Sequence, residues 1–199
     1  VKRSTKWILA AAGGGVLVVF ASMAGMIYLV VSRTSTGASL EAEKRLVLTT
    51  ETLAAHGFKD LDPGREKCTT LRQFDGSRDI TCTYHDSALY MVSAVQISRN
   101  SLDSRQSFLI WVNGMKAKVA MAGKDLTLEN APSLLTAGDQ NYSAFLISNN
   151  ERVGNVFVAR KGRAVHRLWI RGAVFEDPAR VRALFEPLLQ ESEREFGSR

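Results

Sequence analysis

The hydrophobic pattern of this chain changes character along its length. From Trp7 to Val31 runs WILAAAGGGVLVVFASMAGMIYLVV, 25 residues without a charge. As a helix, such a run exceeds the roughly 30 Å hydrocarbon thickness of a bilayer, and tilt absorbs the excess. A cleaved leader has an apolar region of only about 7–15 residues ending in a small-x-small site. Val19-Phe20-Ala21 resembles such a site, but the apolar run continues to Val31. The pattern therefore predicts a basic cytoplasmic N-terminus at 1–6, a transmembrane helix at 7–31, a linker at 32–39 and an extracytoplasmic domain at 40–199. Within the span, Ala10, Ala11, Gly14, Gly15, Ala21, Ser22 and Gly25 form a stripe of small side chains opposite Leu9, Val16, Phe20 and Ile27. Small residues at that spacing let a second helix approach closely, so they are the expected helix-packing positions.

Beyond residue 40 the period shortens and varies. A helix capped by Ser39 is expected to carry Leu46, Val47, Thr50, Leu53 and Ala54 on one face and to stop at Gly57. EKCTTLRQF and SRDITCTYH alternate loosely on either side of Asp75-Gly76, a hairpin signal. A three-residue turn at Phe74–Gly76 sets Gln73 against Ser77, and the same register sets Cys68 against Cys82. Leu89–Ile97 reads as a third strand. Phe108, Trp111, Val112, Met115 and Val119 then recur at helical spacing, in a helix capped by Ser101 and ending at Gly123. Three more strands are expected at Tyr142–Ser148, Val153–Arg160 and Arg163–Arg171, turning at Asn149-Asn150 and Lys161-Gly162. Asp177-Pro178 opens a last helix with an apolar face of Val181, Leu184, Phe185, Leu188 and Leu189, which Pro187 should kink or end. The expected fold class is α+β: the transmembrane helix, then an antiparallel-sheet domain covered by helices in the order α-βββ-α-βββ-α.

Charge refines the placement. Lys2, Arg3 and Lys6 precede the apolar run, while Arg33 stands alone after it until Lys44. Basic residues stay on the cytoplasmic side, so the orientation is type II: an inner-membrane, single-pass chain with its domain in the periplasm. Of 26 basic side chains those three lie outside the domain, and the remainder exceed the 20 acidic ones by only three. That bias is too small to argue for nucleic acid. In an oxidising compartment Cys68 and Cys82, the only cysteines, should form a disulfide; free thiols or a redox pair are the alternatives, the latter lacking Cys-x-x-Cys.

Candidate chemistry is sparse. His56, His85 and His166 have no metal-type spacing, and no nucleophile motif occurs. No catalytic residue, metal or cofactor is assigned. The sharpest polar feature is basic: Arg160, Lys161 and Arg163 crowd one turn, and Arg163, Arg167 and Arg171 share a strand face with Val165 and Trp169. An open face of Arg and Trp suits a partner's acidic loops or anionic lipid headgroups. Covered by a helix, the same arginines would pair with carboxylates at its rim. Arg160, Lys161, Arg163, Arg167, Trp169 and Arg171 are the candidate partner-binding residues.

GNVFVARKGRAVHRLWIRG followed by FEDPARVRALFEPLL resembles the closing hairpin and C-terminal helix of PsbP-like α/β/α sandwich domains, over Tyr142 to Leu189. The resemblance lies in element order and turn placement. It implies an accessory subunit or a lipid- or partner-binding module, with the membrane helix a departure from soluble lumenal members. The expected function is a membrane-anchored accessory subunit of a larger protein complex, photosynthetic or respiratory, contacting other transmembrane subunits. The alternative is a tethered periplasmic module binding a lipid or small ligand.

Overall fold

The computed structural model describes residues 35–59, 61–122 and 125–197. Strand β1 (Ser35–Ala38) precedes two short helices, α1 (Glu41–Lys44) and α2 (Thr50–Ala55), and a 3-10 turn at Pro63–Arg65. Strands β2 (Lys67–Arg72), β3 (Arg78–His85) and β4 (Tyr90–Ile97) lead to the long helix α3 (Ser101–Met121). Four strands follow, β5 (Leu126–Asn130), β6 (Gln140–Ser148), β7 (Glu151–Lys161) and β8 (Ala164–Arg171), and then helix α4 (Pro178–Phe196). All eight strands form one sheet in the order β1-β2-β3-β4-β8-β7-β6-β5. Two meanders therefore meet where β4 runs antiparallel to β8.

Turn chemistry sets the registers. Gly76 takes φ +84 in the β2–β3 turn, a left-handed conformation that glycine adopts at no steric cost. Gln73 N–H donates to Ser77 O at 2.9 Å, Cys68 faces Cys82, and the two are disulfide-bonded, as the sequence register requires. Asn149 and Asn150, at φ 51 and 64, turn β6 into β7; two consecutive positive φ values match the right-handed twist of a hairpin. In α4, Asp177 Oδ1 accepts from Ala179 N–H at 2.8 Å ahead of Pro178, as the capping signal predicts.

The sheet has two unlike faces. On one, Leu168 and Ile170 of β8 and Phe157 of β7 pack with Val181, Leu184, Phe185 and Leu188 of α4. On the other, Val158 and Val165 pack with Phe108 and Val112 of α3, and Val156 with Val119. The expected apolar faces of both long helices are those that pack.

The expected architecture is corrected in several places. Among the described residues no helix is long and apolar enough to cross a membrane. The span expected at 7–31, with its small-residue stripe, lies outside the described residues, and the α-βββ-α-βββ-α order gives way to an eight-stranded antiparallel sheet with helices. Part of the expected linker is strand β1, beyond which Ser39 N–H donates to Cys68 O at 3.2 Å. The single helix expected before Gly57 is two, because Leu46, Val47 and Leu48 are all buried and three consecutive residues cannot share one helical face. Strand β5 is one that the expected order lacks; its Leu126 and Leu128 alternate with polar residues and pack beside Val119. Asn100, not Ser101, caps α3, its Oδ1 accepting from Asp103 N–H at 2.8 Å. Nor does Pro187 end α4, which runs on to Phe196. Burial of Leu184 and Phe185 before the proline and Leu188 and Leu189 after it outweighs the lost hydrogen bond, a cost of about 3 kcal/mol.

Candidate functional site

Helix α3 lies over β5, β7 and β8 and leaves the same face of β3 and β4 only partly covered. The step between helix and sheet is a groove. Its inner slot, 310 Å³, runs between Trp111, Gly114 and Met115 of the helix and Val92, Ala94 and Trp169 of the sheet. Its mouth, 750 Å³, opens toward His85, Arg152 and Arg171. Slot and mouth meet at Lys118 and Trp169, whose ammonium and indole stack at 4.9 Å. Both volumes lie in the range of small-molecule sites, and a largely apolar wall with a few convergent polar groups is their usual lining.

The groove's positions follow from two periodicities. On α3, Trp111, Gly114, Met115 and Lys118 are three or four residues apart and share one face. On the sheet, Val92 of β4 pairs with Trp169 of β8, and Ala94 with Arg167, so all four side chains leave the same side. Ala94 is small enough for Arg167 to pass over it to Asp79 on β3, where Arg167 Nη2 donates to both carboxylate oxygens at 2.8 Å. The guanidinium also stacks on Trp111 at 3.5 Å, and Trp111 Nε1–H donates to Gln96 Oε1 at 2.6 Å. Burial pushes the Arg167 guanidinium below its ordinary value, and Asp79 opposes that shift; the group remains a cation. Its Nε–H, buried at the slot, has no partner among the described residues. At the mouth the Asp86 carboxyl is held below its usual range, first by the Tyr84 hydroxyl at 2.5 Å and then by the N–H groups of Leu89 and Ala88 at 2.7 Å.

The basic cluster singled out in the sequence is largely internal. Arg160 is only 5% exposed, donating to Gln140 Oε1 at 2.7 Å and lying 3.2 Å from Asp139. Lys161 bridges Asp139 and Glu193 at 3.7 and 3.2 Å. Arg163 donates to Ser98 O at 2.9 Å. Arg167, 9% exposed, is held by Asp79 as described. Four of the six expected partner-binding residues therefore have internal partners, supplied by the chain before β6, by β3, by the end of β4 and by α4. Trp169 and Arg171 reach the mouth of the groove, and Arg167 lines its slot. Lys118, Trp111 and Gly114 were missed as site residues; their helical spacing from the apolar face was the available signal.

The histidines sit apart. His56 Nδ1 lies 2.9 Å from Thr52 O at the end of α2, and His85 is exposed beside Tyr90. His166 is buried against Ser192 on the sheet face opposite His85. Among the described residues no three His, Cys, Asp or Glu side chains converge as metal ligands. The fold and groove together define a class: an antiparallel-sheet α+β domain with a cation- and aromatic-lined cleft at the margin of one covering helix. No family model, curated protein or solved structure matches this chain. The PsbP-like resemblance accordingly rests on element order and turn placement alone.

Proposed function

We propose that this domain is a binding module of an oxidising, extracytoplasmic compartment, and that it holds its ligand in the groove between α3 and the exposed part of the sheet. The observation that carries the reading is the groove itself: a slot with an apolar wall opening on Lys118 and Arg171, two cations with no ion-pair partner among the described residues. The Cys68–Cys82 disulfide supports the compartment, since such bonds persist where thiols are oxidised. The module needs no catalytic group: binding is its activity.

An anionic fluorescent dye, anilinonaphthalene sulfonate, tests the reading. Its emission should rise with the full chain and fall at least tenfold in affinity with Gly114→Leu, which fills the slot. Dye binding that Gly114→Leu leaves unchanged overturns the assignment of the groove.

A second reading is favoured by the outer face of α3, where Leu102, Leu109 and Ile110 are 62%, 56% and 67% exposed. Apolar residues clustered on one exposed surface mark protein contacts more often than chance. That face supports the accessory-subunit role, with a protein partner docked outside the groove.

A further inference from the structure

We infer that the groove takes a single-chain acyl amphiphile, its chain in the slot and its anionic head at Lys118 and Arg171. The inference rests on the groove being the binding site and adds the class of ligand.

The first argument is Gly114. Glycine inside a helix costs about 1 kcal/mol relative to alanine. Packing often explains such a glycine, but here a Cβ would meet no atom within 4 Å. Nothing in the fold needs the missing side chain. What Gly114 does is keep open the slot between helix and sheet, which it lines.

The second argument is the slot's shape and lining. Its 310 Å³ lies at the small end of ligand sites and is of the size of one alkyl chain. Val92, Ala94, Met115 and Trp169 give it an apolar wall, and methionine adapts to flexible chains. Its one charged pair, Arg167 with Asp79, is internally neutralised.

The third argument is charge at the other end. Arg152 at the mouth is engaged by Glu129 and Glu176 at 2.7 and 2.9 Å, and Asp86 by Tyr84. Lys118 stands on the Trp169 ring where slot and mouth meet, and Arg171 lies beyond it. An apolar slot ending at two cations that have no ion-pair partner among the described residues is complementary to an alkyl chain ending in a carboxylate or phosphate.

The test is a series of probes titrated into the full chain and followed by emission of Trp111 and Trp169. Alkyl carboxylates from octanoate to dodecanoate should bind about threefold to fourfold tighter per added methylene until the slot is full. Dodecyltrimethylammonium, with the same chain and opposite charge, should bind at least tenfold more weakly than dodecanoate. Lys118→Gln with Arg171→Gln should remove that difference, and Gly114→Leu should abolish binding of both. Gly114→Ala, melting no lower than the parent, shows that the helix tolerates a side chain there. Dodecyl phosphate binding like dodecanoate identifies the head as any anion; binding of phosphatidylglycerol vesicles with no binding of free chains overturns the inference in favour of a membrane surface. Dye binding that Gly114→Leu abolishes but no alkyl carboxylate displaces leaves the groove standing and overturns the acyl ligand alone.

Discussion

At the scale of single residues, burial decides what each polar group does. His166 sits on the α4 side of the sheet with its ring nitrogen 2.8 Å from Ser192 Oγ. Burial, weakly opposed at the Leu46 backbone and reinforced by the Arg167 charge, lowers it from the ordinary 6.5 to about 4. The sign follows. Above pH 6.5 the ring is neutral in both states, and stability is fully present. As pH falls toward 4 the unfolded chain takes up a proton that the folded chain refuses, so stability drops by about 1.4 kcal/mol per pH unit, roughly 3 kcal/mol in all. Urea midpoints of the parent and His166→Gln between pH 7 and 4 should diverge in slope, the variant being flatter. Parallel slopes would show that the imidazole charges freely in the native state. The alternation of His166 with Leu168 and Ile170 marks a strand face in the sequence alone. It did not show Ser192, which lies on a helix 26 residues further on.

At the scale of elements, local signals worked where contacts are short. The β2–β3 hairpin was legible to the residue because its turn and its disulfide lie within one loop, the two cysteines being 14 positions apart along the chain. Closing a loop of that size restricts the unfolded state and is worth about 3 kcal/mol in the chain-entropy model. Replacing both Cys68 and Cys82 by alanine should lower unfolding free energy by at least that amount, since Cys82 is also buried. A change below about 1 kcal/mol in urea titration would mean that the hairpin is held by its sheet neighbours alone. Elsewhere local signals failed for a common reason. β1 exists because β2 offers it an edge, and α1 is separated from α2 because Leu46–Leu48 are drawn into the core, where Leu48 N–H donates to Ser93 Oγ at 2.8 Å. Ser93 lies 45 residues from Leu48, and Thr70 of β2 lies 31 from Ser39 beside β1, beyond any window of periodicity.

At the scale of the whole molecule, the helices cover the sheet unequally. One face of the β7–β8 region carries α3 and the other α4, while β3 and β4 are only partly covered on the α3 side. This asymmetry creates the groove and leaves α3 with two apolar faces, one packed and one outward. If the outward face docks a protein, the chain extracted in mild detergent should run on native gels well above its own 21.9 kDa, and Ile110→Glu should return it to the monomer position. A parent chain that already runs as a lone monomer would remove the accessory-subunit reading and leave ligand binding.

The sequence by itself determined the β2–β3 register, the cysteine pairing, the packed faces of α3 and α4 and the cap of α4, whereas the β7–β8 turn lies at Gly162-Arg163 and not at Lys161-Gly162. Each depends on turn residues or side-chain period within about twenty positions. The tertiary structure alone decided which strand face α3 would cover and which groups the arginines would meet. Arg167 meets Asp79 across 88 residues of chain, a pairing set by the junction of the two meanders. An arginine-rich strand reads the same in sequence whether it faces water or a helix; only the tertiary structure around it determines whether its charges bind partners or one another.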